Sequence, residues 1–205
     1  MNRRVGVYPG SFDPVHPGHV AFAEKALELC ELEAVYFLPE EMPRNKPNVT
    51  ALEHRVAMLE RATAGNERLS VLCRKLGQFT VPDTLPLLRE EFKGQNLTLI
   101  LGSDVAKSLR FWNGIATLSE CVSFAFGVRE GCDPRTLDQA VLDIQNDHLE
   151  VVEYSIFEAP KAGMSSTQIR EGTRNANELH PSVAAYLIEH SLYPHADTAA
   201  SPTNV

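Results

Sequence analysis

The sequence predicts an α/β fold: an open, doubly wound parallel sheet with helices on both faces and a small helical segment at the C-terminal end. Three observations lead there. Short apolar runs of strand length recur at 4–8, 34–38, 69–73, 97–101, 121–127 and 149–154. The segments between them can carry helices, and several have apolar residues at helical spacing. The first run ends in a glycine-containing turn that opens a helix, the arrangement from which βα units and parallel sheets are built.

Each element can be justified in turn. After the first strand, "HVAFAEKALELCEL" places Val20, Ala23, Ala26, Leu27 and Cys30 on one helical face. After the run at 34–38, "TALEHRVAMLERAT" repeats the pattern with Leu52, Val56 and Leu59, and Thr50 followed by Glu53 predicts a capping box at its start. Beyond the run at 69–73, the segment after Phe79 reads as a helix from about Pro82. "PRTLDQAVLDIQN" reads as another, with Pro134 near its first turn. "STQIREG" and "PSVAAYLIEHSL" form a closing helical pair. No internal repeat or Gly/Ser/Pro-rich linker divides the chain, so residues 1–193 are expected to form one domain. The tail "PHADTAASPTNV", 194–205, has almost nothing to bury and is expected to be disordered.

Composition narrows the function classes. No apolar run reaches the ~18 residues that a membrane span needs, and the N-terminus leads straight into a strand, so a soluble, cytoplasmic protein without membrane contact is expected. The net charge of -8 argues against wholesale nucleic-acid binding. Cys30, Cys73, Cys121 and Cys132 form no CxxC pair, which suggests neither a zinc knuckle nor a disulfide framework.

Chemistry concentrates at "PGSFDPVHPGH". In open parallel sheets, ligands gather beyond the carboxyl ends of the strands, and the first βα turn commonly holds phosphate. Gly10 permits close backbone approach, the amides of Ser11 and Phe12 can face an anion, and the helix starting near Pro17 adds free N–H groups and a positive dipole end. His16 and His19, three residues apart on the first helical turn, face the same way, and Gly18 leaves the surface between them bare for a ligand. HxxH could also be a pair of metal ligands, but only Asp13 is near in sequence as a third; beside a phosphate turn the imidazoles fit better as donors to phosphoryl oxygens, and no metal site is assigned.

A second cluster, "GMSSTQIREG", sets Ser165, Ser166 and Thr167 at a helix start with Arg170 one turn on. It is a serine-rich N-cap and also an anion cradle. The two clusters can converge if the strands carrying them are neighbours, which is the expectation here.

"GSFDPVHPGH" resembles the HxGH signature of the nucleotidylyltransferase superfamily, and "GMSSTQIR" resembles its ISSTxxR motif with Met164 in place of isoleucine. The best overall resemblance, along nearly the whole chain to about Tyr193, is to the bacterial nicotinate mononucleotide adenylyltransferases, through those two motifs and "FLPEEMPRNKP", "EHRVAML", "FTVPDTL" and "LGSDVAKSLRFW". The resemblance implies a Rossmann-like fold, ATP and a pyridine mononucleotide as partners, Mg²⁺ accompanying ATP, and in-line attack of the acceptor phosphate on the α-phosphorus. It implies that His16 and His19 hydrogen-bond phosphates and that Arg170 and Lys46 hold the leaving pyrophosphate. Gly10, Ser11, Phe12, Gly18, Gly102, Asp104, Ser165, Ser166 and Thr167 would surround ATP, with Asp104 on a ribose hydroxyl. Trp112 would stack on the acceptor ring with Thr80 nearby; a homo-oligomer is compatible with this picture.

The chain departs from the family pattern at "MPRNK", where Lys46 is kept, Asn45 replaces the usual histidine and Arg44 precedes it, and at Phe79 and Asn113. These changes bear on the preference between acid and amide acceptors. The rivals are another adenylyl- or cytidylyltransferase of the superfamily, acting on phosphopantetheine or an alcohol phosphate, a catalytically silent nucleotide-binding regulator, and a metal-dependent hydrolase using His16 and His19. Phosphopantetheine enzymes carry threonine where His16 stands, and cytidylyltransferases usually show an RTEGIST string that "APKAGMSST" lacks.

Overall fold

Six strands make one parallel sheet: β1 (Arg4–Gly10), β2 (Ala34–Pro39), β3 (Leu69–Val71), β4 (Asn96–Gly102), β5 (Val122–Val128) and β6 (Tyr154–Glu158), in the order β3-β2-β1-β4-β5-β6. This computed structural model describes residues 3–44, 46–74, 76–128, 133–148, 152–161, 163–173 and 176–193; the expected disordered tail and Asn45 lie outside them. The chain starts in the middle, builds outward to β3, then returns past β1 and builds the other way. That reversal puts a crevice at the carboxyl ends of β1 and β4, where such sheets bind ligands.

Helices cover both faces. On one lie α3 (Val81–Glu91), α4 (Ser103–Leu109), α5 (Ile115–Cys121) and α6 (Pro134–His148), which pack Leu85, Leu109, Leu118 and Val141 into a core with Val7, Leu99 and Phe126. On the other lie α1 (Pro17–Leu29), α2 (Leu52–Thr63), α7 (Ser166–Arg170) and α8 (Pro181–Glu189), which bury Phe22, Leu59, Ile169 and Val183 against Val35, Phe37 and Ile100. The central strands are therefore buried on both faces: Leu97 to Leu101 are all buried, Thr98 among them. Gly127 lets α1 press onto β5, since a Cβ there would lie 1.9 Å from Phe22.

Several expectations need correction. The last strand is Tyr154–Glu158; of the run expected at 149–154, residues 149–151 lie outside the described residues and Val152 and Glu153 precede the strand. It is a sheet edge with only Phe157 buried, so "YSIFE" carries a weak apolar signal. Of the run at 69–73, only Leu69–Val71 is strand, and Cys121 closes α5 instead of opening β5. Thr50 and Glu53 do not form a capping box. The N-cap of α2 is Ala51, and Thr50 is drawn into the loop below β1, where its amide donates to Asp13 and its carbonyl accepts from Arg55. The helix expected from about Pro82 begins at Val81, capped by Thr80, whose hydroxyl oxygen accepts the Asp83 amide.

Candidate active site

The loop after β1 is shaped from its own residues. Phe12 is buried in the left-handed region at φ 49, an uncommon state for an aromatic residue. Its ring lies against Gly10, where any Cβ would come within 2.9 Å of it. The buried ring of Phe37 supports it edge-on at 5.4 Å, and His19 meets it at 5.2 Å. Phe12 thus holds this loop from inside.

His16 is the N-cap of α1, and the two imidazoles stack with centroids 3.7 Å apart. Nδ1 of His19 accepts the His16 amide at 3.2 Å. That bond places the proton of the neutral ring on Nε2, so His19 has a fixed donor facing away from its own backbone. Gly18 plays a different part from the one expected: the His16 ring and the Lys161 carbonyl cover it, and a Cβ would meet His16 Nδ1 at 2.9 Å and that carbonyl at 3.2 Å. His16, Gly18 and His19 line one cleft with Gly102, Lys161 and Met164. A Cβ on Gly102 would meet nothing, so this wall is open.

The second cluster docks directly on the first. Ser166 Oγ donates to the Pro14 carbonyl at 2.9 Å, and Arg170 Nη1 donates to the Asp13 carbonyl at 2.6 Å, across separations of 152 and 157 residues. The strands behind them are not neighbours: β4 and β5 stand between β1 and β6. Convergence comes instead from the segment after β6, which crosses the carboxyl edge of the sheet and sets α7 beside the first loop. Of the three hydroxyls, that of Ser166 is engaged with Pro14 and that of Thr167 accepts from Arg170 Nη2 at 3.2 Å, while Ser165 is the N-cap residue of α7.

Lys46 reaches the same loop, its Nζ donating to Ser11 Oγ at 2.6 Å. Beneath lies a residue that sequence reasoning missed. Arg55 is fully buried and donates to four carbonyls: Thr50 at 2.7 Å, Ser11 at 2.7 Å, Glu40 at 2.8 Å and Glu41 at 3.2 Å. Burial pulls its guanidinium below the ordinary value, and the nearby Asp13 carboxylate pulls it back most strongly. It ties the loop after β1 to the loop after β2. Asp13 is the one carboxylate close enough in sequence to complete a metal set with the histidines, and its oxygens instead accept the Thr50 amide and the Tyr193 hydroxyl.

The other expected half of the site is on the opposite helical layer. Trp112, half-buried, meets Phe79 with ring centroids 5.7 Å apart, and Thr80 follows directly at the start of α3. Glu40 fixes this wall by accepting the Phe79 amide at 2.7 Å, and Arg44 Nη2 donates to the Phe79 carbonyl at 3.4 Å. Asp104 is exposed in the first turn of α4, two residues past Gly102. Tyr8 and Lys161, also in the cleft, carried no motif by which the sequence could have revealed them; Met164 lines it too, at the position where "GMSSTQIR" departs from the family's isoleucine.

Fold and site bring the loop after β1 and the start of α7 together at the switch point of a Rossmann-like sheet. The sequence pattern of the cytidylyltransferase-like family matches residues 7–172. The chain belongs to that family and, within it, to the nicotinate-nucleotide adenylyltransferase line. A relative from Halalkalibacterium halodurans, named "Probable nicotinate-nucleotide adenylyltransferase", is 30% identical over 98% of this chain and 96% of its own length. One of the same name from Geobacillus kaustophilus is 31% identical over 93% of this chain and 86% of its own. Plasmodium falciparum nicotinic acid mononucleotide adenylyltransferase, in a structure complexed with NaAD, superposes with a TM-score of 0.72 at 20% identity, covering 95% of this chain and 98% of that one; this likeness concerns the fold. Among the described residues no helix is long and apolar enough to cross a membrane.

Proposed function

We propose that this chain transfers the adenylyl group of ATP to nicotinate mononucleotide, releasing pyrophosphate and forming the dinucleotide used in NAD synthesis. The observation that carries this reading is the junction of the two loops, where Ser166 and Arg170 bond to Pro14 and Asp13 beside the stacked histidines. The acceptor phosphate attacks the α-phosphorus in line, so the protein's work is positioning and charge stabilisation rather than covalent catalysis. His19, whose Nε2 is set as a donor by its bond to the His16 amide, donates to phosphoryl oxygens as charge builds in the transition state, and His16 stacks against it as a second donor. Arg170 and Lys46 hold the β- and γ-phosphates and stabilise pyrophosphate as it leaves. Gly10, Ser11, Phe12, Gly102, Asp104, Ser165, Ser166 and Thr167 frame the nucleotide, while Gly18 makes room for the His16 ring.

The side chains set toward the phosphates are those of His16, His19, Lys46, Arg170 and the hydroxyl residues, and the one carboxylate, Asp104, goes to a ribose hydroxyl, so Mg²⁺ fits as an ion carried by the triphosphate rather than held in a protein cage. When bound it neutralises phosphate charge. Trp112 stacks on the pyridine ring, with Thr80 and Phe79 beside it. Arg44 brings a guanidinium to the Phe79 carbonyl, which favours the acid over the amide form of the ring.

The test is pyrophosphate release from Mg-ATP across a panel of acceptors: nicotinate mononucleotide, nicotinamide mononucleotide, phosphopantetheine and simple alcohol phosphates. Release is expected with the mononucleotides, faster with the acid. Release only with phosphopantetheine or an alcohol phosphate, or with none of the panel, overturns the assignment.

A further inference from the structure

Tyr193 lies at the far end of the described chain, 180 residues from Asp13, yet its hydroxyl donates to Asp13 Oδ1. The backbone turns back there through left-handed residues after α8, Ser191 at φ 50 and Tyr193 itself at φ 54. Asp13 is 2% exposed, and its Oδ2 accepts the Thr50 amide at 3.3 Å. Its two carboxylate oxygens are thus met by neutral donors. Its own carbonyl, meanwhile, receives Arg170 Nη1 at 2.6 Å. A guanidinium and a buried carboxylate so placed have a strong alternative pairing, a bidentate ion pair.

We infer that Tyr193 is a positioning residue: by occupying Oδ1 of Asp13 it keeps that carboxylate from capturing the Arg170 guanidinium and leaves the remaining N–H groups of Arg170 for the phosphates of ATP. The inference rests on the reading of Arg170 as a phosphate-holding group. Burial, the bond to Asp13 and the charge of Asp13 all push the Tyr193 phenol well above its ordinary range, so it stays a donor near neutrality. Without the hydroxyl, the buried carboxylate lacks a partner on one side; Arg55 is committed to four carbonyls, whereas Arg170 is already bonded to the carbonyl of the same residue and can turn a further N–H toward it.

The experiment is calorimetric titration of the full chain with Mg-ATP, with thermal unfolding alongside, for the parent, Tyr193→Phe, and Tyr193→Phe combined with Asp13→Asn. Tyr193→Phe is expected to weaken ATP roughly ten-fold or more while keeping a cooperative unfolding transition, since the fork withdrawn from the phosphates is charge-assisted. The double variant is expected to regain most of that affinity, because a neutral amide at residue 13 has no ion pair to offer Arg170. A merely structural hydroxyl predicts no such recovery. Parental affinity in Tyr193→Phe, equal weakening in single and double variants, or loss of the unfolding transition in either overturns the inference. If the parent itself binds no ATP, the functional reading falls, and this inference with it.

Discussion

Gly18 and His19 show how tightly single residues are constrained here. A methyl group on Gly18 would press on His16 Nδ1 and on the Lys161 carbonyl, and the flexible partner is the His16 ring. Gly18→Ala is therefore predicted to cost little in thermal stability but about 100-fold in turnover, the scale expected when a transition-state donor moves by about 1 Å. Parental turnover would show that the His16 ring position does not matter to the reaction. His19→Ala removes the donor itself and is predicted to lower turnover by at least about two orders of magnitude, while ATP affinity stays within a few-fold. The measurements are steady-state pyrophosphate release and equilibrium ATP binding. An equal loss in both would mean that His19 holds ground-state ATP rather than the transition state.

At the scale of elements, the loop after β1 is held from below by α2 through Arg55. Arg55→Met would fill much of the same space but leave the carbonyls of Ser11, Glu40, Glu41 and Thr50 without their donor. Buried unsatisfied groups cost about 1–3 kcal/mol each, and with partial relaxation a total loss of about 3–5 kcal/mol is predicted by denaturant unfolding. A loss under about 1 kcal/mol would mean that water replaces the guanidinium freely. The sequence singled out the histidine pair and the serine-rich helix start because both lie in short motifs that resemble a family's signatures. It could not announce Arg55. In "EHRVAML" an arginine beside Val56 and Leu59 looks like an exposed helix position, and only the loops folding over it from β1 and β2 make it interior. The short helices α4 and α5 escaped for a related reason: "SDVAKSL" and "IATLSEC" span about two turns each, too short for periodicity to declare itself. Thr50 and Glu53 matched a capping pattern, but the tertiary partners Asp13 and Arg55 outbid it for the Thr50 backbone.

On the scale of the whole molecule, doubly wound topology was legible from the alternation of apolar runs, whereas the route by which the loop after β1 and the start of α7 meet was not. Sequence alone does not reveal that the chain after β6 passes β5 and β4 to dock Arg170 on Asp13. The resulting site has one end on the layer of α1 and α7 and the other, at Trp112, on the layer of α3 to α5, and the two ends share no hydrogen-bonded partner in common among the contacts described for Arg170 and Phe79. That separation can be tested. Trp112→Ala should weaken acceptor binding by about 1–3 kcal/mol through lost stacking while ATP affinity barely moves, and binding of the mononucleotide to the parent should quench the fluorescence of Trp112, the only tryptophan in the chain. Arg170→Ala should do the converse, weakening ATP by about 1.5–3 kcal/mol with little effect on the acceptor. Because distant sites without shared partners act independently, the double variant should lose transition-state stabilisation equal to the two single losses within about 0.5 kcal/mol, read from kcat/KM with both substrates subsaturating. A shortfall well beyond that would mean that the two ends communicate, and the path to examine would be the segment from Glu40 to Arg44, where Glu40 bonds to both Arg55 and Phe79 and Arg44 bonds to Phe79 again.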